Sequence, residues 1–314
     1  MKRPRRQKTA HAHYYLLANP SAACYKDKPV RRLIQAIRRK GQYYTLFEAP
    51  SASDLFRRAR LASGLFKSAR PAPAHVQRRG PVTALIACGG DGTVNLTAQV
   101  ALEAGLPLGI LPMGRHNNIA RSLLPAVDID TAIATLLQRD YHTIDTATAS
   151  GKLFVGSLGI GLIPHLSRCL QHRKLPRFAF RWSSLVTEAV SEITPRRMTI
   201  GIDSFRFECR PTILTINLLS YVIGLPFSPM SVSDDHQAEV IFDMGEDGLD
   251  PAAFIRQVHR RKHYFGNEVR LFRGRQITVE PIKGQLIYLD GELMQLPNPV
   301  LEITLNEKQL KLFC

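Results

Sequence analysis

Cysteine is scarce and scattered. The five residues Cys24, Cys88, Cys169, Cys209 and Cys314 are odd in number and form no Cys-x-x-Cys pair. A zinc knuckle and a disulfide framework are thereby unsupported, and a reducing cytosol suits the chain. A long apolar run is also missing. The basic start Met1-Lys2-Arg3-Pro4-Arg5-Arg6-Gln7-Lys8 has no apolar core after it, so it does not read as a signal peptide. The most apolar stretch, Pro211 to Phe227, is broken by Asn217, Gly224 and Pro226. It reads as a buried strand and a loop, with no transmembrane segment. Ten histidines show no HExxH or paired-ligand spacing, so none is assigned a catalytic metal. There is no internal repeat. Acid is the other shortage: 26 Asp and Glu stand against 42 Lys and Arg, a net charge of +16. Such a chain attracts polyanions, whether nucleic acid, an anionic membrane face or phosphorylated substrates. Nucleic acid is disfavoured, because no reader motif accompanies the charge.

What is present is a regular alternation. At 314 residues two domains are expected. Tyr14 to Ala18 is a short apolar strand ended by Asn19-Pro20-Ser21. Val30, Leu33, Ile34 and Ile37 fall at helical spacing, with arginines on the other face and Gly41 as the stop. Tyr43 to Phe47 reads as a strand, and Ser53-Asp54 can cap the helix that follows. The Pro- and Arg-rich stretch Arg70 to Gly80 reads as a loop. Val82 to Ala87 and Leu108 to Pro112 are further strands, each followed by a helix, over Val94 to Ala104 and near Asn118 to Leu124. Another helix spans Thr131 to Gln138. The alternation predicts a doubly wound parallel sheet up to about residue 145. After Asp145 strands dominate, including Glu268 to Phe272, Leu286 to Leu289 and Leu301 to Leu305, with helices around Phe180 to Glu192 and Ala252 to Arg260. A mostly β second domain follows.

The chemistry concentrates where the third strand ends, at Gly89-Gly90-Asp91-Gly92-Thr93. Glycines let the backbone turn sharply and approach phosphate oxygens. A following helix offers amide N–H groups and the positive end of its dipole, and Thr93 adds a hydroxyl. Asp91 repels an anionic ligand and needs its own reason: holding the loop through backbone N–H groups, or binding a cation through water. A bare Gly-Gly-x-Gly is as often a structural turn as a phosphate loop. The strand–loop–helix context favours the phosphate loop.

The string Cys88 to Asn95 resembles the nucleotide motif of the diacylglycerol kinase catalytic domain family, soluble bacterial lipid kinases related to sphingosine kinases, whose Gly-Gly-Asp-Gly-Thr is shared by NAD kinases. Further matches follow in order: Asn19-Pro20, Leu108 to Gly114, Asn117, Ala120-Arg121, Asp145, Asn217, Pro229, Asp235 and Leu289-Asp290-Gly291-Glu292. The resemblance implies an α/β fold of two parts. These are an N-terminal doubly wound parallel-sheet nucleotide domain and a C-terminal mostly β sandwich, as in NAD kinases and diacylglycerol kinases. The expected layout is a basic tail over 1–10, the ATP-binding domain over 11–145, the substrate domain over 146–298, and a segment 299–314 returning to the first domain. It implies ATP and Mg²⁺ as cofactors. Asn19, Gly89, Gly90, Asp91, Gly92, Thr93, Asn95, Gly114, Arg115 and Asn117 would hold the nucleotide, Asp234 and Asp235 the cation, and Asp290 or Glu292 would be the catalytic base. Asp290 is favoured over Glu292, although Asp-Gly is also a common hairpin turn.

Several positions depart from the pattern. Leu96 replaces an expected Glu, Arg115 a Thr, Asn118 an acid and His236 a Gly, and the Thr expected near Glu48-Ala49 is missing. Arg115 can stabilise phosphate charge in place of Thr. Two segments combine basic and aromatic residues: Arg168 to Trp182, with Arg173, Lys174, Arg177, Phe178, Phe180 and Arg181, and Arg256 to Arg275. Both suit an anionic membrane surface, though a solvated face over core aromatics has the same composition. The expectation is a cytoplasmic, peripherally membrane-associated lipid kinase in phospholipid metabolism that phosphorylates diacylglycerol or a related lipid, with a homodimer allowed. The departures support a second reading, a nucleotide- or lipid-binding regulatory protein without turnover. NAD kinase is a third.

Overall fold

The computed structural model describes residues 5–6, 12–64, 83–171, 182–245, 249–307 and 309–314. The Pro- and Arg-rich loop over 70–80 and the basic aromatic run over 173–181 lie outside the described residues. The chain divides into two compact units, Met1–Ile144 with Lys308–Cys314, and Asp145–Glu307.

In the first unit the strands Tyr43–Glu48, His13–Ala18, Ala84–Gly89, Leu108–Pro112 and Leu310–Phe313 lie side by side in that order, all parallel. Asp140–Ile144 then pairs antiparallel with Leu310–Phe313, and Arg5–Arg6 antiparallel with Asp140–Ile144. The purely parallel sheet expected from the alternation therefore ends in an antiparallel edge. The reason is the returning strand, which fills the place beside Leu108–Pro112. Ala84–Gly89 and Leu108–Pro112 are buried at every position, as strands covered on both faces must be. The helix Asp27–Arg39 turns Val30, Leu33 and Ile37 inward and leaves its arginines exposed, as the spacing predicts.

Two helix starts differ from expectation. The helix Ala52–Ala62 is capped by Ser51, whose hydroxyl accepts the Asp54 N–H at 3.4 Å, not by Ser53 or Asp54. The helix after the glycine motif begins at Asp91 instead of Val94 and runs to Ala104. Its first turn is thus built from the motif itself, and Gly105, at φ +65°, ends it.

The second unit is two antiparallel six-stranded sheets. One orders Phe205–Cys209, Met198–Ile202, Gln276–Glu280, Leu301–Leu305, Ala147–Ala149 and Lys152–Phe154. The other orders Arg270–Gly274, Ala238–Phe242, Ile213–Asn217, Ser157–Gly161, Leu286–Leu289 and Glu292–Gln295. Alternation along the strands explains the layering. Leu214 and Ile216 join Ile200, Val240 and Ile303 in the core of the sandwich. Ile213 joins Leu166, Trp182, Phe254 and Val258 in a second core, formed with the helices Leu162–Leu170, Trp182–Ser191 and Pro251–His259.

Candidate functional site

In the first unit three loops meet at the ends of three parallel strands. The Asn19 N–H donates to the Cys88 carbonyl (3.1 Å) and the Met113 N–H to the Gly89 carbonyl (2.8 Å). These bonds set the loop after His13–Ala18 and the loop after Leu108–Pro112 on either side of the glycine motif. Gly90 and Gly114 lie back to back. A Cβ on Gly114 would sit 2.4 Å from the Gly90 Cα, and one on Gly90 would sit 3.0 Å from the Gly114 Cα. A Cβ on Gly89 would strike the Thr93 hydroxyl at 2.4 Å. Glycine is needed here for close backbone approach, since Gly90 has an ordinary φ of −93°.

Asp91 is buried and spends its charge on the neighbouring loop. Its carboxylate accepts the backbone N–H groups of Asn118 (3.0 Å) and Ile119 (3.0 Å) and the Asn118 side-chain amide (3.2 Å). Asp91 therefore caps the helix Asn118–Leu123 from outside, which accounts for an acid in this glycine loop. Asn118 gains a meaning here that the sequence alone concealed. An acid at 118 would set two carboxylates together in a buried place, whereas the amide donates to Asp91.

Asn117 sits at φ +49°, a left-handed conformation that Asn tolerates. Its amide closes a ring with Gly114, accepting the Gly114 N–H at 2.8 Å and donating to the Gly114 carbonyl at 2.9 Å. Asn19 donates to the Thr93 hydroxyl at 3.3 Å and accepts the Ser21 N–H at 2.9 Å. Asn95 lies one turn into the helix and accepts from Gln99 at 2.9 Å. Arg115 is half-buried beside His116. His116 is a residue that motif reading passes over. Burial, then the nearby Arg115 and Arg121 charges, push its imidazole down to about 4. The ring is neutral at physiological pH, and its buried Nδ1 has no hydrogen-bond partner. Cys88, between strand and loop, is fully buried, and burial raises its thiol well above the usual range. It is not a nucleophile. Where the missing Thr was expected, Glu48 instead accepts the Tyr25 hydroxyl at 2.9 Å.

The helix Asp91–Ala104 makes its first ladder bond from the Val94 N–H to the Gly90 carbonyl. The amides before it lie at the positive end of a fourteen-residue helix. With the bare backbone of Gly89, Gly90 and Gly114, this helix start offers the chemistry that an anionic group such as a phosphate takes.

In the second unit Asp290 and Gly291 form the two-residue turn between Leu286–Leu289 and Glu292–Gln295, at φ +45° and +98°. Asp290 is also more than a turn residue. Its carboxylate is buried and accepts three successive N–H groups, from Val155 (2.6 Å), Gly156 (2.9 Å) and Ser157 (2.8 Å). Glu292, two residues on, is exposed. Asp234 is half-buried, and Asp235 is held by Arg273 at 3.1 Å. Among the described residues no three of His, Cys, Asp or Glu converge as a metal site.

The basic aromatic segment over 256–275 ends its helix in a projecting tip. Arg260, Arg261 and Lys262 are exposed. His263 and Tyr264 turn inward, and both bond the Phe227 carbonyl, at 2.7 and 3.2 Å. Phe265 is left 88% exposed. Among the described residues no helix is long and apolar enough to cross a membrane.

The first unit is thus a parallel α/β sheet with a strand–glycine loop–helix, and the second an antiparallel sandwich. Residues 13–149 match the model of the family described as Diacylglycerol kinase catalytic domain. The chain is 25% identical over 218 residues to a protein of Bacillus subtilis (strain 168) named diacylglycerol kinase, covering 66% of this chain and 70% of the other. A solved structure of a diacylglycerol kinase from Bacillus anthracis str. Sterne has the same fold, with a TM-score of 0.67 at 16% identity over 96% of each chain.

Proposed function

We propose that this protein is an ATP-dependent lipid kinase that transfers the γ-phosphate to the hydroxyl of diacylglycerol or a related lipid. The observation that carries the reading is the pair of back-to-back glycines, Gly90 and Gly114, beside a helix start. Such a cradle suits a phosphate chain, and Asp91 holds it without turning its charge toward the ligand. The bound nucleotide supplies the phosphoryl group. Arg115 is the residue offered to the charge that builds up as that group leaves. In the second unit Asp290 is the proposed acceptor of the hydroxyl proton, on the resemblance of Leu289-Asp290-Gly291-Glu292 to the family's late motif; the three N–H groups on its carboxylate hold it in place and lower its basicity. The exposed tip Arg260-Arg261-Lys262 with Phe265 supports peripheral contact with an anionic leaflet, where the acceptor lipid lies.

The test is incubation with γ-labelled ATP, Mg²⁺ and vesicles presenting a panel of lipid alcohols. The expected result is labelled lipid that disappears in Asp290→Asn. Nucleotide binding without any labelled lipid would sink the proposal in favour of a regulatory protein without turnover. That second reading is favoured by one observation, the amide of Asn118 where the family pattern carries an acid. Labelled NADP formed from added NAD would point instead to an NAD kinase.

A further inference from the structure

The loop over 234–235 was expected to hold a divalent cation, and its donor set does not fit one. Arg273, on the strand Arg270–Gly274, reaches into the loop with both arms of its guanidinium. Nη1 donates to Asp235 Oδ2 at 3.1 Å. Nη2 donates to Glu239 Oε1 at 2.8 Å and to the Met230 carbonyl at 3.1 Å. The rest of these carboxylates is also engaged. Glu239 Oε2 accepts the Tyr264 hydroxyl at 3.1 Å, and Asp235 Oδ1 accepts the Gln237 N–H at 3.1 Å. Glu239 is 3% exposed, so its charge requires a partner. The adjoining Asp145 is buried as well and accepts the His236 N–H at 2.6 Å, with the imidazole Nδ1 at 3.3 Å.

Two carboxylate oxygens and one backbone carbonyl are the ligands that a hard cation such as Mg²⁺ selects. Here a guanidinium gathers all three. Its planar fork matches several oxygens at once and is weakly hydrated, so less hydration is lost on burial than for a compact ion. A divalent ion added to the same oxygens would sit against the Arg273 charge and would have to displace it.

We propose that Arg273 is the built-in cation of this loop, and that the loop binds no divalent ion of its own. Any Mg²⁺ used in the reaction enters with the nucleotide. Arg273 is on this account a positioning residue that sets the Met230-to-Glu239 segment. The inference does not depend on turnover or on the identity of the acceptor lipid.

The test is carried out on the full chain without nucleotide. Mn²⁺ titrated against the wild-type protein and followed by electron paramagnetic resonance should show no saturable site. The melting temperature should be the same in EDTA and in millimolar Mg²⁺. Arg273→Met should melt lower, recover part of the loss in Mg²⁺ and acquire a saturable Mn²⁺ site, a gain in affinity of about tenfold or more. Arg273→Lys, which keeps the charge but loses the fork, should melt between the two and bind Mn²⁺ weakly. A stoichiometric Mn²⁺ site in the wild-type protein would overturn the proposal and needs no variant to be read. So would an Arg273→Met protein whose melting and Mn²⁺ binding match the wild type. Failure to label any lipid would leave these readouts unchanged, so the two ideas fall separately.

Discussion

Asp91 and Asp290 are the same device in two different settings. Each is a buried carboxylate that accepts three N–H groups from a neighbouring segment. In the α/β unit Asp91 ties one loop to the start of the next helix, and one of its three donors is a side chain. In the sandwich unit Asp290 ties a hairpin turn to the backbone over 155–157, and all three donors are main chain. The difference bears on tolerance to change. A single substitution at Asn118 removes one donor to Asp91, whereas the three N–H groups on Asp290 are main chain and survive a change of side chain at their own positions.

The largest expected effect breaks the comparison on the sandwich side. Asp290→Asn keeps the shape and loses the acceptor charge. Lipid phosphorylation should fall by about 10²- to 10⁴-fold, with nucleotide affinity unchanged. Unaltered turnover with lowered stability would leave Asp290 as a turn anchor and nothing more. Next comes Gly114→Ala, whose new methyl meets the Gly90 backbone at 2.4 Å. Denaturant unfolding should show a loss of about 1–3 kcal/mol, and nucleotide titration a matching drop in affinity.

Asn118→Asp sharpens the comparison from the other side. It replaces a donor to Asp91 with a second carboxylate and should cost about 1–3 kcal/mol at neutral pH, a loss that shrinks in acid. Equal stability at all pH values would show that the 3.2 Å contact contributes nothing. Phe265→Ala should weaken partition onto anionic vesicles roughly threefold to tenfold. Neutralisation of Arg260, Arg261 and Lys262 should weaken it about fivefold per residue. Partition indifferent to both would place the membrane face elsewhere.

A further effect is a pH slope. His116 has an ordinary value of 6.5 and is held at about 4 in the fold, so the unfolded chain takes up the proton first as pH falls. Its contribution to stability is therefore full above about 6.5 and is lost between about 6.5 and about 4. His116→Gln should flatten that part of the stability profile measured by urea unfolding.

Much of the first unit was legible because its signals are local. Short apolar runs ended by Asn-Pro or Gly-Gly mark parallel strands that run into loops, and the arginine stripe of Asp27–Arg39 marks its solvent face. The glycine loop between strand and helix was legible for the same reason. Contacts between residues distant in sequence were not. Nothing around Asp91 indicates that Asn118 and Ile119 are its partners, and nothing around Asp235 indicates Arg273, 38 positions on. The helix Leu162–Leu170 was not expected, and its start carries Gly161 and Pro164, residue types that interrupt a helical pattern. Here Gly161, at φ +73°, starts the helix and Pro164 falls in its first turn, where no N–H is required. The strand expected over Glu268 to Phe272 runs instead over Arg270–Gly274, paired with Ala238–Phe242, and that pairing brings Arg273 opposite Glu239.

The strand Leu310–Phe313 lies between Leu108–Pro112 and Asp140–Ile144. In terms of synthesis, some 160 residues of sandwich are made before the sheet of the first unit can be closed. Until then both neighbouring strands present open edges, which invite pairing with other chains. A nascent or truncated chain ending before Leu310 is therefore an aggregation-prone species, while the closing strand removes both edges in one step. A chain that lacks Leu310–Phe313 thus displays a defect in the unit that was made first.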